Sequence, residues 1–354
     1  MDHLPLSRAA VLIINWNGWA DTIECLESVF RHIPTVRRVV VCDNGSTDGS
    51  LDHLCSWAEG RLDHRLSPTH PLRELSWPPV PKPLPHVHYG RREAEQGGLP
   101  DADPRLVLVD NGTNLGFAGG NNVGLRYLLS MGGVDFIWLL NNDTVIAAGA
   151  LEALLARMSA RPQVGMCGST LLHYDRPQRV QARGGGWYCK WLGLPWHIGQ
   201  FGRADTNVDP HHIERWINYV VGASLCVSRD FLEQVGLMTE DYFLYFEELD
   251  WVLRAKGRYG LACAPESVVY HKVGQSVGTS SLPHRQSDLC DYYNVRNRLL
   301  FTRRHCPEAL PTVYLTLLGA MALRLLIGRP DRAVMIWRLL AGRTVTPPGE
   351  RGAP

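Results

Sequence analysis

Nine cysteines form no CxxC pair, and their number is odd. Both features argue against a secreted disulfide framework, and no charged-then-apolar leader precedes Val11, so a reduced, cytoplasmic protein is expected. A spanning segment is also missing. The longest uncharged apolar run, Ala309 to Leu323, ends at Arg324 and falls short of the roughly 20 residues that a transmembrane helix needs. Lysine is absent from residues 292 to 354, where ten Arg face only Glu308, Asp331 and Glu350, a net of +7; the first 291 residues then carry −6 of the chain's +1. Stretches such as MALRLLIGR and AVMIWRLLAGR read as helices lying on an anionic membrane surface, or equally as a helical pair packed on the rest of the chain. Nucleic acid is a poor partner, because the basic residues alternate with aliphatics rather than stacking aromatics.

What is present is a 354-residue chain with 45% hydrophobic and 20% charged residues, enough to bury a large core without being disordered or membrane-embedded throughout. Apolar runs alternate with helical spacing. RAAVLIINWN, RRVVVCDNGSTDGS, RLVLVDNG and DFIWLL read as strands, and DTIECLESVFRHI, VGLRYLLSMG and AGALEALLARMSA as helices, the first capped by Asp21. This alternation predicts an α/β fold, a parallel sheet with helices on both faces and its ligand site at the carboxyl ends of the strands. Between about Ala58 and Pro104 periodicity fails: nine prolines and the run WPPVPKPLP predict a long loop, a lid or a mobile insertion. His86 and His88 fall within it and read as solvated loop residues rather than metal ligands.

The polar residues that close the runs are the candidate site. Asn15 and Asn17 follow the first strand, Asp43, Asn44 and Ser46 the second, and Asn142 and Asp143 the fourth. A carboxylate at Asp43 can accept from the N3–H of a pyrimidine base, although DNGSTDGS alone reads as a turn and helix cap. In NLGFAGGNN (Asn114 to Asn122) the glycines permit close backbone approach, and the following helix would offer N–H groups to an anion. The stretch follows neither GxGxxG nor GxxxxGK[ST]. Glu247, Glu248 and Asp250 follow an aromatic run at a helix start, where the dipole stabilises carboxylates. His271, closing VVYH, would by itself more often be structural than a ligand.

In order, NWNG, CDNGSTDGS, NLGFAGGNN, WLLNNDT, VVGASLCVSRDFLEQVGLM, YFEELDW and YH resemble the family 2 glycosyltransferases with a GT-A fold, particularly their bacterial rhamnosyltransferase-like branch. The resemblance runs from about Ala10 to His271 and continues weakly through DYYNVRNRLLF. It implies a Rossmann-like, doubly wound mixed sheet over residues 8 to 275, interrupted at about 58 to 104, with a C-terminal helical extension over 276 to 354. NND then stands where the family carries DxD, making Asp143 a ligand of Mg²⁺ or Mn²⁺ and His271 a second ligand. Asn15, Asn17, Asp43, Asn44, Ser46, Asn114, Gly116, Phe117, Gly120, Asn121 and Asn142 would surround a nucleotide-sugar. Glu248 resembles the catalytic base, with Glu247 the second choice; Asp250 would orient the base or hold the acceptor.

The implied reaction is an inverting, metal-dependent transfer from a dTDP-sugar or UDP-sugar, with dTDP-L-rhamnose the leading donor. The acceptor would be a hydroxyl of a cell-surface polysaccharide or a polyprenyl-diphosphate-linked glycan, reached from the inner face of the membrane. A non-catalytic nucleotide-sugar binder or assembly partner, and a nucleotidyltransferase, are the alternatives.

Overall fold

A computed structural model describes residues 6–63, 66–99, 104–273 and 287–348. In chain order its elements are β1 (Ala9–Asn15), α1 (Trp19–His32), β2 (Arg38–Asp43), α2 (Ser50–Ala58), β3 (His86–Gly90), α3 (Arg91–Glu95), β4 (Leu106–Asp110) and α4 (Gly116–Ser130). Next come β5 (Phe136–Asn141), β6 (Thr144–Ile146), α5 (Ala150–Ser159), β7 (Val164–His173), β8 (Arg176–Arg183), β9 (Gly185–Cys189) and β10 (Leu194–His197). They are followed by α6 (Pro210–Glu214), β11 (Tyr219–Val220), β12 (Ser224–Ser228), α7 (Arg229–Val235), α8 (Glu247–Ala255) and β13 (Gly260–His271). The extension is helical: α9 (Asp288–His305), α10 (Leu310–Leu326) and α11 (Pro330–Leu340).

The strands form one mixed sheet. β5, β1, β2, β4 and β3 lie side by side and parallel, and β12 runs antiparallel between β5 and β7. Beyond β7 come β8, β9 and β10, while β13 runs parallel to β7 and antiparallel to β6. Both faces are covered, which is why the strands read as unbroken apolar runs. Val11, Ile13, Val39 and Val41 pack with α1, α2 and α5, whereas Leu12, Val40 and Cys42 pack with α4, α7 and α8. Register sets Asn15 beside Asp43 and Asp43 beside Asp110, so the polar strand ends form a row. With β2 on one side of β1 and β5 on the other, the carboxyl end of β1 is the switch point where such sheets open a crevice.

Several expectations change. The proline-rich stretch is built into the fold: Val80 N and Lys82 Nζ donate to the buried Glu27 carboxylate, which also accepts from Trp57 Nε1. His86 and His88 lie on β3, an edge strand parallel to β4, rather than in a solvated loop. Proline lacks the donor a strand interior needs, so the strand starts only after Pro85. Asp21 does not cap α1, which begins at Trp19 after Gly18; Asp21 pairs with Lys272 instead. The nine cysteines are free thiols.

The extension also differs from its reading as charge-limited segments. The turn Pro307–Ala309 continues into α10, giving 20 residues from Pro307 to Leu326 that include an 18-residue window of mean hydropathy 1.6, long and apolar enough by length and composition to cross a membrane. Arg324, which ends the uncharged run, is buried against Asp291. Arg329 and Arg332 likewise pair with Asp288, so part of the tail's positive charge is neutralised by α9.

Candidate active site

Asn141 ends β5, Asn142 and Asp143 make a tight turn, and Thr144 opens β6. β13 pairs with β6 so that His271 lies opposite Thr144, which brings the histidine to the turn. His271 Nε2 is 3.1 Å from Asp143 Oδ1, and both residues are buried. His271 Nδ1 lies 2.8 Å from Gln181 Oε1, an atom that can only accept, so Nδ1 carries the proton. In the neutral ring Nε2 is then a bare lone pair facing a carboxylate oxygen. A second proton or a cation resolves that opposition.

The pair therefore fits a divalent ion: the ring is fixed in the ligating tautomer by a second carboxamide, and the spacing suits neighbouring ligands of a hard cation with bonds of roughly 2.0–2.1 Å. Burial pushes the Asp143 carboxyl up, but the charge and Nε2–H hydrogen bond of His271 when it carries that second proton, with Lys272 beyond, outweigh it and hold the carboxyl below the ordinary range. Among the described residues, no group of three or more His, Cys, Asp or Glu side chains could hold a metal, so further ligands would come from substrate or water. Gln181 itself is the extra residue of a bulge in β8, between Val180 opposite Leu172 and Ala182 opposite Leu171.

The carboxamides answer a hydrogen-bonding need. Fully buried Asn15 accepts from Thr22 Oγ1 (2.8 Å) and Asn142 Nδ2 (3.2 Å), and donates to Asp43 Oδ1 (2.6 Å) and Ser46 Oγ (3.2 Å). Asp43 accepts further from Ser46 Oγ and Ser46 N, leaving Oδ2 with one partner. Asn17, with φ +50°, accepts from Thr47 N at its Oδ1 and donates its own N–H to Ser46 Oγ. Two strand ends, Asn15 and Asp43, thus join Thr22 and the loops that hold Asn17, Ser46 and Thr47 in one network that reaches Asn142, next to Asp143.

NLGFAGGNN is not an anion cradle in front of a helix: Leu115 caps α4 and Gly116 to Asn122 form its first turns. Gly116 N is taken by Asn114 Oδ1, Phe117 N by Phe243 O and Leu115 N by Asn44 Oδ1, so these helix-start donors are already satisfied. Asn44 Nδ2 donates to Asn114 Oδ1 and Gly116 O, making Asn44 a buried cross-link. Gly116 has φ +72° and sits against Phe243 O, where a Cβ would overlap. A Cβ at Gly120 would overlap Ile14, so that glycine serves the packing of α4 on β1. Asn121 Nδ2 bonds Phe117 O one turn back.

Glu247 and Glu248 open α8 after Phe243, Tyr245 and Phe246, all with positive φ. Such backbone is costly for bulky residues and persists only when held. The clamp is Asn297 of α9, fully buried, whose Nδ2 lies 2.7 Å from Tyr242 O, 2.7 Å from Leu244 O and 3.2 Å from Tyr245 O. Glu248 is half-buried, and its Oε1 accepts from Gly222 N at 3.1 Å. A Cβ at Gly222 would overlap that oxygen and press on Phe117. Burial pushes the Glu248 carboxyl up against the lowering effect of the Gly222 N–H. Glu247 is buried with Oε2 unpartnered, and burial followed by the neighbouring Glu248 pushes it well up.

Asp250 is different. It is fully buried and accepts from Thr239 Oγ1, Tyr242 OH, Arg254 Nε and His305 Nε2, tying α8 to α9. Burial opposes its ionisation, but those donors hold it well below the carboxylate range. Holding an acceptor is closed to it, because it has no exposed surface. Sequence reasoning did not single out Gln181, Gly222, Thr22 or Asn297. Gly222 and Asn297 lie inside quoted motifs, whereas Gln181 follows no apolar pattern.

The switch-point crevice, the carboxylate turn closing β5 and the mixed sheet define the class: the fold is that of the GT-A glycosyltransferases. The crystal structure of GalNAc-T7 with UDP, GalNAc and Mn²⁺ matches with a TM-score of 0.51 at 14% identity over 82% of this chain, which spans 47% of that chain, about half its length. No protein-family model matches the chain. By sequence it is 26% identical over 235 residues to the N-acetylglucosaminyl-diphospho-decaprenol L-rhamnosyltransferase of Mycobacterium tuberculosis, covering 62% of this chain and 75% of that protein. It is 24% identical over 216 residues to the low-salt glycan biosynthesis hexosyltransferase Agl10 of Haloferax volcanii, covering 61% and 66%. The glycosyltransferase resemblance and the GT-A fold are thereby borne out.

Proposed function

We propose that the protein is an inverting glycosyltransferase that moves a sugar, with L-rhamnose from dTDP-L-rhamnose the leading choice and UDP-sugars next, to a hydroxyl of a polyprenyl-diphosphate-linked glycan or cell-surface polysaccharide. The observation that carries this reading is the Asp143 and His271 pair, 3.1 Å apart, with the imidazole proton fixed by Gln181. The likeness to a decaprenol-linked rhamnosyltransferase supports the donor and acceptor classes.

Asp143 and His271 would hold Mg²⁺ or Mn²⁺. The ion supplies Lewis-acid stabilisation of the charge gathering on a nucleoside diphosphate leaving group. The Asn15, Asp43 and Ser46 network would seat the nucleoside, and Asn142 ties that seat to the metal turn. Glu248 would accept the proton of the attacking hydroxyl. Its raised affinity for protons suits a general base, which is most effective when its pKa approaches the working pH. Gly222 N orients its carboxylate, and Asp250 and Asn297 fix the helix start on which it stands. One base and one displacement give inversion.

The test is turnover of dTDP-L-rhamnose with a polyprenyl-diphosphate-linked N-acetylglucosamine, following both dTDP release and the anomeric configuration by NMR. Acceptor-dependent release that stops with chelator and in Glu248→Gln, with an inverted anomer, supports the proposal. A retained configuration overturns it.

A further inference from the structure

We propose that the cleft between α9 and the end of α11 is a phosphate site for a lipid carried in a membrane. The cleft has a volume of about 330 Å³ and is lined by Arg296, Arg303 and Arg343 over an apolar floor that includes Leu299, Leu300 and Leu339; among the described residues no carboxylate lines it.

The three arginines differ in their partners from Arg324, Arg329 and Arg332 of the same extension. Arg324, Arg329 and Arg332 are paired with Asp288, Asp291 and Asp331. Arg296 instead donates to Asp241 O and Asn297 Oδ1, and Arg303 to Tyr314 OH, all uncharged acceptors. Arg343 is exposed, and no hydrogen bond or ion pair of its guanidinium occurs among the described residues. Three guanidinium charges around one cleft repel each other and are relieved by an anion. Planar guanidinium forks suit phosphate oxygens in particular.

The floor and surroundings specify what carries the phosphate. A free anion has no use for leucines beneath it, whereas a phosphate ester on a hydrocarbon chain does. α11 exposes Trp337, and α10, packed against α9 and α11, exposes Leu315 and Leu318, with Leu315 67% and Trp337 54% accessible. Apolar side chains beside uncompensated arginines are the pattern of a surface that settles at the headgroup level of a bilayer. Two sources share this chemistry: a phospholipid headgroup, and the diphosphate of a lipid-linked glycan. The second rests on the acceptor class proposed above.

The test is flotation of the full chain with vesicles of phosphatidylcholine alone, with phosphatidylglycerol, or with polyprenyl diphosphate at equal charge, each with and without inorganic pyrophosphate. Arg343→Gln removes a cleft arginine. Arg338→Gln removes an exposed arginine of α11 that does not line the cleft. Thermal melts confirm that both variants fold.

A lipid-surface arginine contributes about fivefold to binding. The site predicts a larger loss for Arg343→Gln than for Arg338→Gln, and competition by pyrophosphate in the wild type. Preference for polyprenyl diphosphate over phosphatidylglycerol assigns the lipid-linked source, and equal binding assigns the headgroup. Equal losses in the two variants, or no loss in Arg343→Gln, overturn the site. Because the readout needs no donor and no turnover, its failure leaves the transferase proposal standing, and the reverse holds too.

Discussion

Gln181 Oε1 lies 2.8 Å from His271 Nδ1 and thereby decides which imidazole nitrogen faces Asp143. A leucine at 181 would keep the volume but release the tautomer. Orienting partners of this kind contribute about 10- to 100-fold in metal affinity. Gln181→Leu should weaken Mn²⁺ binding by that order while the fold melts normally, read by calorimetric Mn²⁺ titration in the presence of nucleoside diphosphate. Unchanged affinity would remove Gln181 from the metal site.

Gly222 gives a separate handle on Glu248, the proposed base. Its alanine variant forces the Glu248 carboxylate from the Gly222 N–H, the one group that lowers its proton affinity from outside α8. A base must be ionised to act, so its raised pKa places the acid limb of the rate profile above the ordinary glutamate range. Gly222→Ala should lower kcat by about 10²-fold or more, leave nucleotide binding within a few-fold, and move the acid limb to still higher pH. A pH profile of kcat for both proteins checks this. An unmoved limb would detach Gly222 from the base.

Asn297 should matter for the same step from a distance. Asn297→Ala takes the side-chain donor from Leu244 O and leaves Tyr242 O with Leu244 N alone, costing roughly 1–3 kcal/mol for the one group left unpaired. The segment from Phe243 to Phe246, with its three positive-φ residues, then loses its clamp, and kcat should fall more than donor KM rises. Asn297→Asp should not rescue activity, since an ionised carboxylate cannot donate. Denaturant unfolding and steady-state kinetics measure the two effects, and full activity in Asn297→Ala would break the link.

Glu247 predicts a pH dependence of stability. Its folded carboxyl binds a proton at higher pH than the unfolded one, so the folded state loses stability as pH rises above the ordinary glutamate value and through the raised folded value. Glu247→Gln is free of this loss. The melting temperature of the variant relative to wild type should therefore be higher at pH 8 than at pH 5. A gap that narrows with rising pH would contradict the assignment.

The strands that carry the site were legible because β1, β2, β4 and β5 are each buried on two faces and end abruptly in polar residues. The resemblance named Asp143 and His271, and the register of β13 on β6 explains why 128 positions of chain separate two neighbouring side chains. What the sequence concealed depends on pairing. β3 follows a proline run, β6 has three residues, and β8 reads RPQRVQAR, polar at most positions. Gln181 reaches His271 through a bulge, which no periodicity announces. Asn44 and Asn114 looked ready for a ligand, yet the α4 start takes up their hydrogen bonds. A polar residue at a strand end marks a need for partners, and only the sheet order says whether those partners belong to the chain.

The most direct measurement is isothermal titration of the protein with dTDP, UDP and GDP, each with Mn²⁺ and with chelator, alongside Asp143→Ala. The account predicts that dTDP or UDP binds only with metal and that Asp143→Ala abolishes this binding while remaining folded. Binding of none of the three, or equal binding with chelator and in the variant, would contradict a metal-held nucleotide at the end of β5.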